Sequence, residues 1–243
     1  MTRPATITIE GALAVEALLK SSAFRVQRVI VESGRHGMLV ESAGELGIPV
    51  EEVSGEELAE IAGYDFHRGI LAYADRPEPR LPDREFLQGA KRILAPIGLA
   101  DPGNLGTIIR SAAAFGADAV LVEAGRGADV FARKCIRASA TAIFHIPVFE
   151  VPSMPRFLFD AKEYGFVVFG TAANPSAKSL PDVHPGEKSI IFLGAEKDGL
   201  PDWFSEHCDE WIRIPMSSEI ESLNVGAAAS VVLYELFGRR KGD

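Results

Sequence analysis

The chain has little that would point to export or metal chemistry. It has two cysteines, Cys135 and Cys208, 73 residues apart and in no metal-ligand spacing. That excludes a disulfide framework and leaves two reduced thiols as the expectation. The five histidines are scattered, so no metal is expected. No apolar run approaches the roughly 20 residues of a membrane helix. The first residues, MTRPATITIEGALAVEALLKSS, lack the basic start and apolar stretch of a signal peptide, so a cytoplasmic protein is expected. Also missing are the GxGxxG of dinucleotide folds, the P-loop, the GxSxG elbow and HExxH. Positive charge is short as well. A net charge of −9 argues against binding nucleic acid through bulk electrostatics.

What is present reads as globular. Of 243 residues 47% are apolar and 24% charged, enough for one or two domains with a sizeable core. The clearest seam is DRPEPRLPDR, Asp75 to Arg84, whose three prolines predict a stiff extended linker. It divides the chain into residues 1–75, a linker at 76–84, and residues 85–243. In the first part a helix is expected over Gly11–Ser21, with Leu13, Val15, Leu18 and Leu19 as its apolar stripe. A strand over Val26–Val31 follows, then a helix over His36–Leu46 and a helix capped by Ser54 with Glu57 completing a capping box. Gly69–Ala74 reads as a further strand.

After the seam, strand-like runs at Arg92–Gly98, Ala119–Glu123, Phe166–Gly170, Ser189–Gly194 and Trp211–Pro215 alternate with helical ones. The helical runs are Leu105–Phe115, Asp129–Ala138, Met154–Tyr164 and Ser222–Gly238. Such alternation predicts an α/β fold with a mostly parallel sheet covered on both faces. Ligands in such sheets sit at the carboxyl ends of strands. Three loops there stand out. In the first, Asn104 is placed to cap a helix that carries Arg110. In the second, Gly194 and Gly199 bracket Glu196. In the third, Ser222 is placed as an N-cap with Asn224 in the first turn, and Gly226–Ser230 forms a smooth face suited to close packing. Taken singly, each admits a plain structural reading as cap, turn or surface charge.

Taken together they form an ordered set: N-x-G-x-x-x-R-x-A-x-x-F-G at Asn104–Gly116, L-G-x-E-x-x-G-L at Leu193–Leu200, and I-P-M-x5-S-L-N-V at Ile214–Val225. This set resembles the three motifs of the SpoU (TrmH-type) RNA ribose 2′-O-methyltransferases of the SPOUT superfamily. In the first part, E-G-x-x-A-V-E-A-L-L and H-R-G-I-L-A-Y at His67–Tyr73 resemble the L30e-like RNA-binding domain of the ribosomal-RNA members. The resemblance implies a catalytic domain with a parallel sheet and a deep trefoil knot, homodimeric, taking S-adenosylmethionine without a metal. By motif position the cofactor contacts fall at Leu193, Gly194, Ile214, Met216, Ser222 and Leu223. The catalytic set is Asn104, Arg110, Glu196, Ser222 and Asn224. A guanidinium keeps its proton at any ordinary pH, so Arg110 is expected to stabilise a developing alkoxide or hold a phosphate, oriented by Glu196. Lys197-Asp198 depart from the small or polar residues and glycine common after the family's glutamate.

The resemblance implies an RNA substrate, ribosomal RNA rather than transfer RNA. The alternatives are a transfer-RNA 2′-O-methyltransferase of the same family, a base-nitrogen methyltransferase of the same fold, and a non-enzymatic L30e-like RNA-binding protein. The charge is less adverse than its total suggests. Residues 104–140 hold five basic groups, Arg110, Arg126, Arg133, Lys134 and Arg137, against three acidic ones. Arg126, Arg133, Lys134 and Arg137 are the RNA-contact candidates there, with Arg25, Arg28, Arg35 and Arg68 in the acidic first part.

Overall fold

The alternating runs resolve into two sheets. A computed structural model of the chain describes residues 3–63, 68–195, 198–217 and 222–238. The first sheet is built from β1 (Thr6–Glu10), β2 (Val26–Glu32), β3 (Val50–Val53) and β4 (Ile70–Asp75), in the order β1-β4-β2-β3. Strand β4 is antiparallel to β1 and β2, and β3 is parallel to β2. Helices α1 (Ala12–Lys20), α2 (Gly37–Glu45) and α3 (Gly55–Ala62) accompany it. Ser54 and Glu57 form the expected capping box on α3. Strands β1 and β3 were not foreseen. TITIE alternates well enough, but VEEV is half charged and pairs only as an edge. Leu13 does not join the apolar stripe of α1; it is 72% exposed.

The second sheet is parallel throughout. Its strands are β5 (Arg92–Pro96), β6 (Ala119–Glu123), β7 (Val148–Val151), β8 (Val167–Thr171), β9 (Lys178–Ser179), β10 (Ser189–Leu193) and β11 (Glu210–Arg213), in the order β7-β6-β5-β10-β8-β11-β9. Side chains alternate between its two faces as a pleat requires. Ile191 and Leu193 enter the apolar layer under α5 (Pro102–Ala114), α6 (Arg133–Ala138) and α8 (Val225–Leu233). Ile190 and Phe192 enter the layer under α4 (Arg84–Gly89) and α7 (Met154–Glu163). Register matters for function. Leu193 is level with Pro96, Phe192 with Gly170, and Ile212 with Thr171, so four strands finish together at one edge.

Two helices begin later than the spacing suggested. The run from Asp129 becomes helical only at Arg133, because the Asp129 carboxylate accepts the Phe131 N–H at 2.9 Å in a local turn. The run from Ser222 becomes α8 at Val225 and ends in one π-helical turn, Tyr234–Gly238.

The proline-rich seam is anchored. Arg76 follows β4 directly and its side chain is only 8% exposed. It donates to Asp129 at 2.7 and 3.0 Å and to Glu150 at 2.8 Å. Arg3 also pairs with Glu150. Phe24 packs edge-on against Phe131 and Phe144, with centroids 6.0 and 5.3 Å apart. Arg133 of α6 reaches back to Glu10 at 3.1 Å and to the Ala62 carbonyl at 2.8 Å. The two sheets thus share one apolar cluster and a charged seam.

Burial alone would penalise the Asp129 charge, but the Arg76 hydrogen bonds outweigh it and hold the carboxyl below its ordinary value. A depressed carboxyl contributes stability above the unfolded-state value of about 3.9 and loses it as pH falls through the folded-state value. Removing Arg76 strands Glu150, which is 3% exposed, with Arg3 alone. Arg76→Met should therefore cost about 3 kcal/mol in urea unfolding at neutral pH. The variant should also lose less further stability than wild type below about pH 4. An unchanged unfolding midpoint would refute the clamp.

Candidate active site

The common strand edge opens into a cavity of about 440 Å³. Its floor is Thr171, Ala172 and Ala173 after β8, with Leu193 and Gly194 at the end of β10. Ile214 and Met216 after β11, Ser222 and Leu223 before α8, and Val225, Ala228 and Val232 of α8 complete it. Every residue proposed from the motifs as a cofactor contact lies on this wall. Thr171, Ala172 and Ala173 carry no motif, but their place beyond a strand's carboxyl end was the available signal.

Gly194 is glycine for a reason the pattern did not reveal. A Cβ there would lie 2.3 Å from the Gly199 carbonyl carbon and 2.6 Å from the Leu200 nitrogen. The close approach is to the chain's own backbone. Ala195 and Gly199 exchange backbone hydrogen bonds of 3.1 and 3.0 Å, closing a tight turn, and Gly199 takes φ +65°. Glu196, Lys197 and His67 lie outside the described residues. Asp198 is described and lines the cavity.

Both proposed caps move by a few residues. Asn104 does not cap α5. Pro102 occupies the first turn, where its missing N–H costs nothing, and Asp101 is the N-cap, accepting from Gly103 at 2.9 Å. Lys134 donates to Asp101 at 2.6 Å, and this bond and then the Gly103 N–H hold the carboxyl below its ordinary value. Ser222 does not cap α8 either. Asn224 does, accepting from Gly226 at 3.0 Å and Ala227 at 3.3 Å. Its amide nitrogen donates to Asn104 Oδ1 at 3.1 Å. The two asparagines of the catalytic set therefore meet, where the first turns of α5 and α8 converge.

The helices are held there by close contacts. A Cβ on Gly106 would lie 2.3 Å from the Cys135 carbonyl of α6, and one on Gly226 would lie 3.2 Å from Thr107 of α5. Ser111 and Ser230 share a 2.8 Å hydrogen bond farther along. Gly226 and Ser230 thus pack within the chain, whereas Ala227, Val231 and Tyr234 form the exposed side of this segment. Cys135, buried beneath α5, has its thiol pushed up to about 12 by burial and then by the Asp129 charge, which makes it inert.

Arg110 is exposed on α5, about 9 Å along the axis from Asn104, and does not line the cavity. Most other predicted cations have carboxylate partners: Arg25 with Asp75, Arg28 with Glu51, Arg35 with Glu32, Arg126 with Glu123, Arg133 with Glu10 and Lys134 with Asp101. Arg68 has φ +57°, and its carbonyl meets His36 Nε2 at 3.0 Å. Arg137 is exposed on α6. A second cavity of about 240 Å³ abuts the first, sharing Ala195, Asp198 and Gly199 and adding Ile97, Gly98, Arg126, Gly127 and Pro201. Among the described residues no His/Cys/Asp/Glu group could hold a metal ion.

Residues 91–234 match the SpoU rRNA Methylase family, and residues 8–80 match a domain described as RNA 2′-O ribose methyltransferase substrate binding. The chain belongs to the SpoU rRNA methylase family. The 23S rRNA (guanosine-2′-O-)-methyltransferase RlmB of Xanthomonas campestris is 35% identical over 245 residues, covering 96% of this chain and 97% of that protein. A putative TrmH family tRNA/rRNA methyltransferase of Staphylococcus aureus is 31% identical, covering 88% of this chain and 89% of that protein. Among solved structures, the SpoU methyltransferase AviRb of Streptomyces viridochromogenes, in complex with AdoMet, superposes with a TM-score of 0.83 at 22% identity. It covers 98% of this chain and 92% of that one. These SpoU folds share the parallel sheet and the smaller N-terminal unit.

Three substitutions separate the roles of the site's framework. Gly194→Ala should abolish nucleoside binding at the cavity in calorimetry, because the turn cannot close over a Cβ. Asn224→Ala should cost about 1 kcal/mol through the lost cap, whereas Asn224→Asp keeps the acceptor and most of that stability. If the two variants unfold alike, Asn224 is not acting as the cap.

Proposed function

We propose that this protein transfers a methyl group from S-adenosylmethionine to a ribose 2′-hydroxyl of folded 23S ribosomal RNA. The observation that carries this reading is the cavity at the strand edge, lined by all six positions matched to the family's cofactor motifs. The residues suit the ligand. Ile214, Leu223, Val225 and Val232 offer apolar faces to an adenine, while Gly194, Ala195, Ala172 and Ala173 leave backbone groups within reach. The reading includes the family's trefoil knot; residues after β11 and in the turn after β10 both wall the cavity.

Bound there, the cofactor supplies a methyl on a cationic sulfur. The ribose hydroxyl would have to lose its proton to solvent as its oxygen takes the methyl and the sulfur leaves as a neutral thioether. Where proton loss runs ahead of methyl transfer, negative charge would grow on the ribose oxygen. The Arg110 guanidinium stabilises that charge or grips the neighbouring phosphate, with Glu196 orienting it. Asn104 and Asn224, already hydrogen-bonded to each other, position the ribose. Ser222 shapes the wall beside the reacting groups. Arg110 stands outside the cavity, so it meets the methyl only once RNA or a second copy brings the surfaces together. The exposed apolar side of the C-terminal segment, Ala227, Val231 and Tyr234, suits the contact of a homodimer.

Residues 1–75 would dock the RNA and residues 85–243 would carry the chemistry, joined by the anchored 76–84 seam. Arg25, Arg28, Arg35, Arg68, Arg133, Lys134 and Arg137 remain the candidate phosphate contacts; Arg126, on the wall of the smaller cavity, is set apart from them. The paired ones must exchange a carboxylate for a phosphate, which makes binding selective and salt-sensitive. The work is expected in the cytoplasm; no helix among the described residues is long and apolar enough to cross a membrane. The Staphylococcus relative, named for both tRNA and rRNA, keeps transfer RNA as the second substrate.

The test uses labelled cofactor with unmodified ribosomal and transfer RNA, followed by mapping of the alkali-resistant linkage. Methylation of one 23S ribose is expected. Arg110→Ala should reduce transfer by at least about 100-fold while retaining cofactor binding. Wild-type turnover in that variant would remove Arg110 from the mechanism. Cofactor binding without transfer to any RNA would favour a non-enzymatic RNA-binding role.

A further inference from the structure

The second cavity invites a more specific assignment, which rests on the reading that the larger cavity holds S-adenosylmethionine. That cofactor has two unlike halves. Its nucleoside half is flat and mostly apolar. Its other half is an amino-acid tail with an ammonium and a carboxylate, and neither charge is tolerated away from water without a partner.

The larger cavity serves only the first half well. Its lining is dominated by aliphatic side chains and small residues. Asp198 and Arg213 are the charged residues on that wall among the described ones. The Arg213 Nε–H is committed to the Ala177 carbonyl at 3.1 Å. Asp198 stands on the partition itself, in the turn closed by Ala195 and Gly199, and lines both spaces. On the far side the smaller cavity adds Arg126, with Gly98 and Gly127 leaving backbone uncovered. Among the described residues Arg126, 62% exposed, pairs with Glu123 at 3.3 Å, a contact that constrains it little. One carboxylate and one guanidinium therefore flank a space of about 240 Å³ opening off the nucleoside cavity.

We propose that the smaller cavity receives the amino-acid tail, with Asp198 holding its ammonium group and Arg126 its carboxylate. The ligand would turn at the Ala195–Gly199 partition and place its sulfur there, between the two spaces. Lys197-Asp198, where this chain departs from the family's pattern, then has a consequence. It supplies a side-chain charge for recognition of the tail.

The experiment is calorimetric titration of the full chain with S-adenosylmethionine, S-adenosylhomocysteine and 5′-methylthioadenosine, which keeps the nucleoside and sulfur but lacks the tail. Asp198→Asn should weaken the first two by roughly 10–100-fold, the effect of one charge-assisted hydrogen bond. It should leave 5′-methylthioadenosine within about twofold. Arg126→Gln should show the same split, and Asp198→Glu should restore part of the loss. Equal weakening of all three ligands would mean that Asp198 only shapes the turn, which overturns the proposal. No weakening of any ligand overturns it as well. If the wild-type chain binds none of the three, the reading of the larger cavity fails, and that result is distinct from either outcome.

Discussion

The site depends on how closely helix α5 approaches its neighbours. Gly106 lets α5 lie against the α6 backbone where a Cβ would stand 2.3 Å from a carbonyl oxygen. A Cβ on Gly226 of α8 would stand 3.2 Å from the Thr107 side chain of α5, a tight contact from another side. Those contacts place the first turns of α5 and α8 together. The Asn104–Asn224 hydrogen bond and the wall made by Val225, Ala228 and Val232 follow from that placement. A larger residue at Gly106 would force α5 away from α6 and disturb the asparagine pair with no change in the functional side chains.

Much of this was legible in the sequence, because buried parallel strands and small-residue helices leave strong patterns. The five strand runs read from the second half all lie within one residue or two of observed strands, and the six positions matched to the cofactor motifs line one cavity. What was misread turns on local competition for backbone N–H groups. Asn104 and Ser222 are good cap residues, but Asp101-Pro102 and Asn224 stood nearer the true helix starts and took those roles. Strands β7 and β9 were missed because VFEV is brief and KS spans two residues, each acquiring its identity from a neighbour. Spatial strand order was not legible either. It depends on which edge each crossover reaches, and no residue states that.

Charge was also easier to count than to interpret. The basic groups between residues 104 and 140 form a positive stretch in the sequence, yet in space most are spoken for. Arg133 links α6 to the first sheet and Lys134 fixes the start of α5. Arg76, inside a stretch that resembled a free linker, is the most buried cation of the seam. These ion pairs join the smaller unit to the catalytic sheet, so its orientation toward a substrate is built in. A long flexible tether is not what sets it.

The position of β10 has a consequence for how the molecule is made. This strand lies between β5 and β8 in the sheet but is synthesised after both. Until residues 189–193 emerge, β5 and β8 cannot be bridged, and each presents an unpaired edge. The catalytic half must wait for its own central strand, which makes its assembly late and rich in contacts between distant parts of the chain. The first sheet is complete by residue 75 and is under no such delay. During synthesis, the finished N-terminal unit, with Arg76 already exposed at its end, is the surface on which the later sheet can settle.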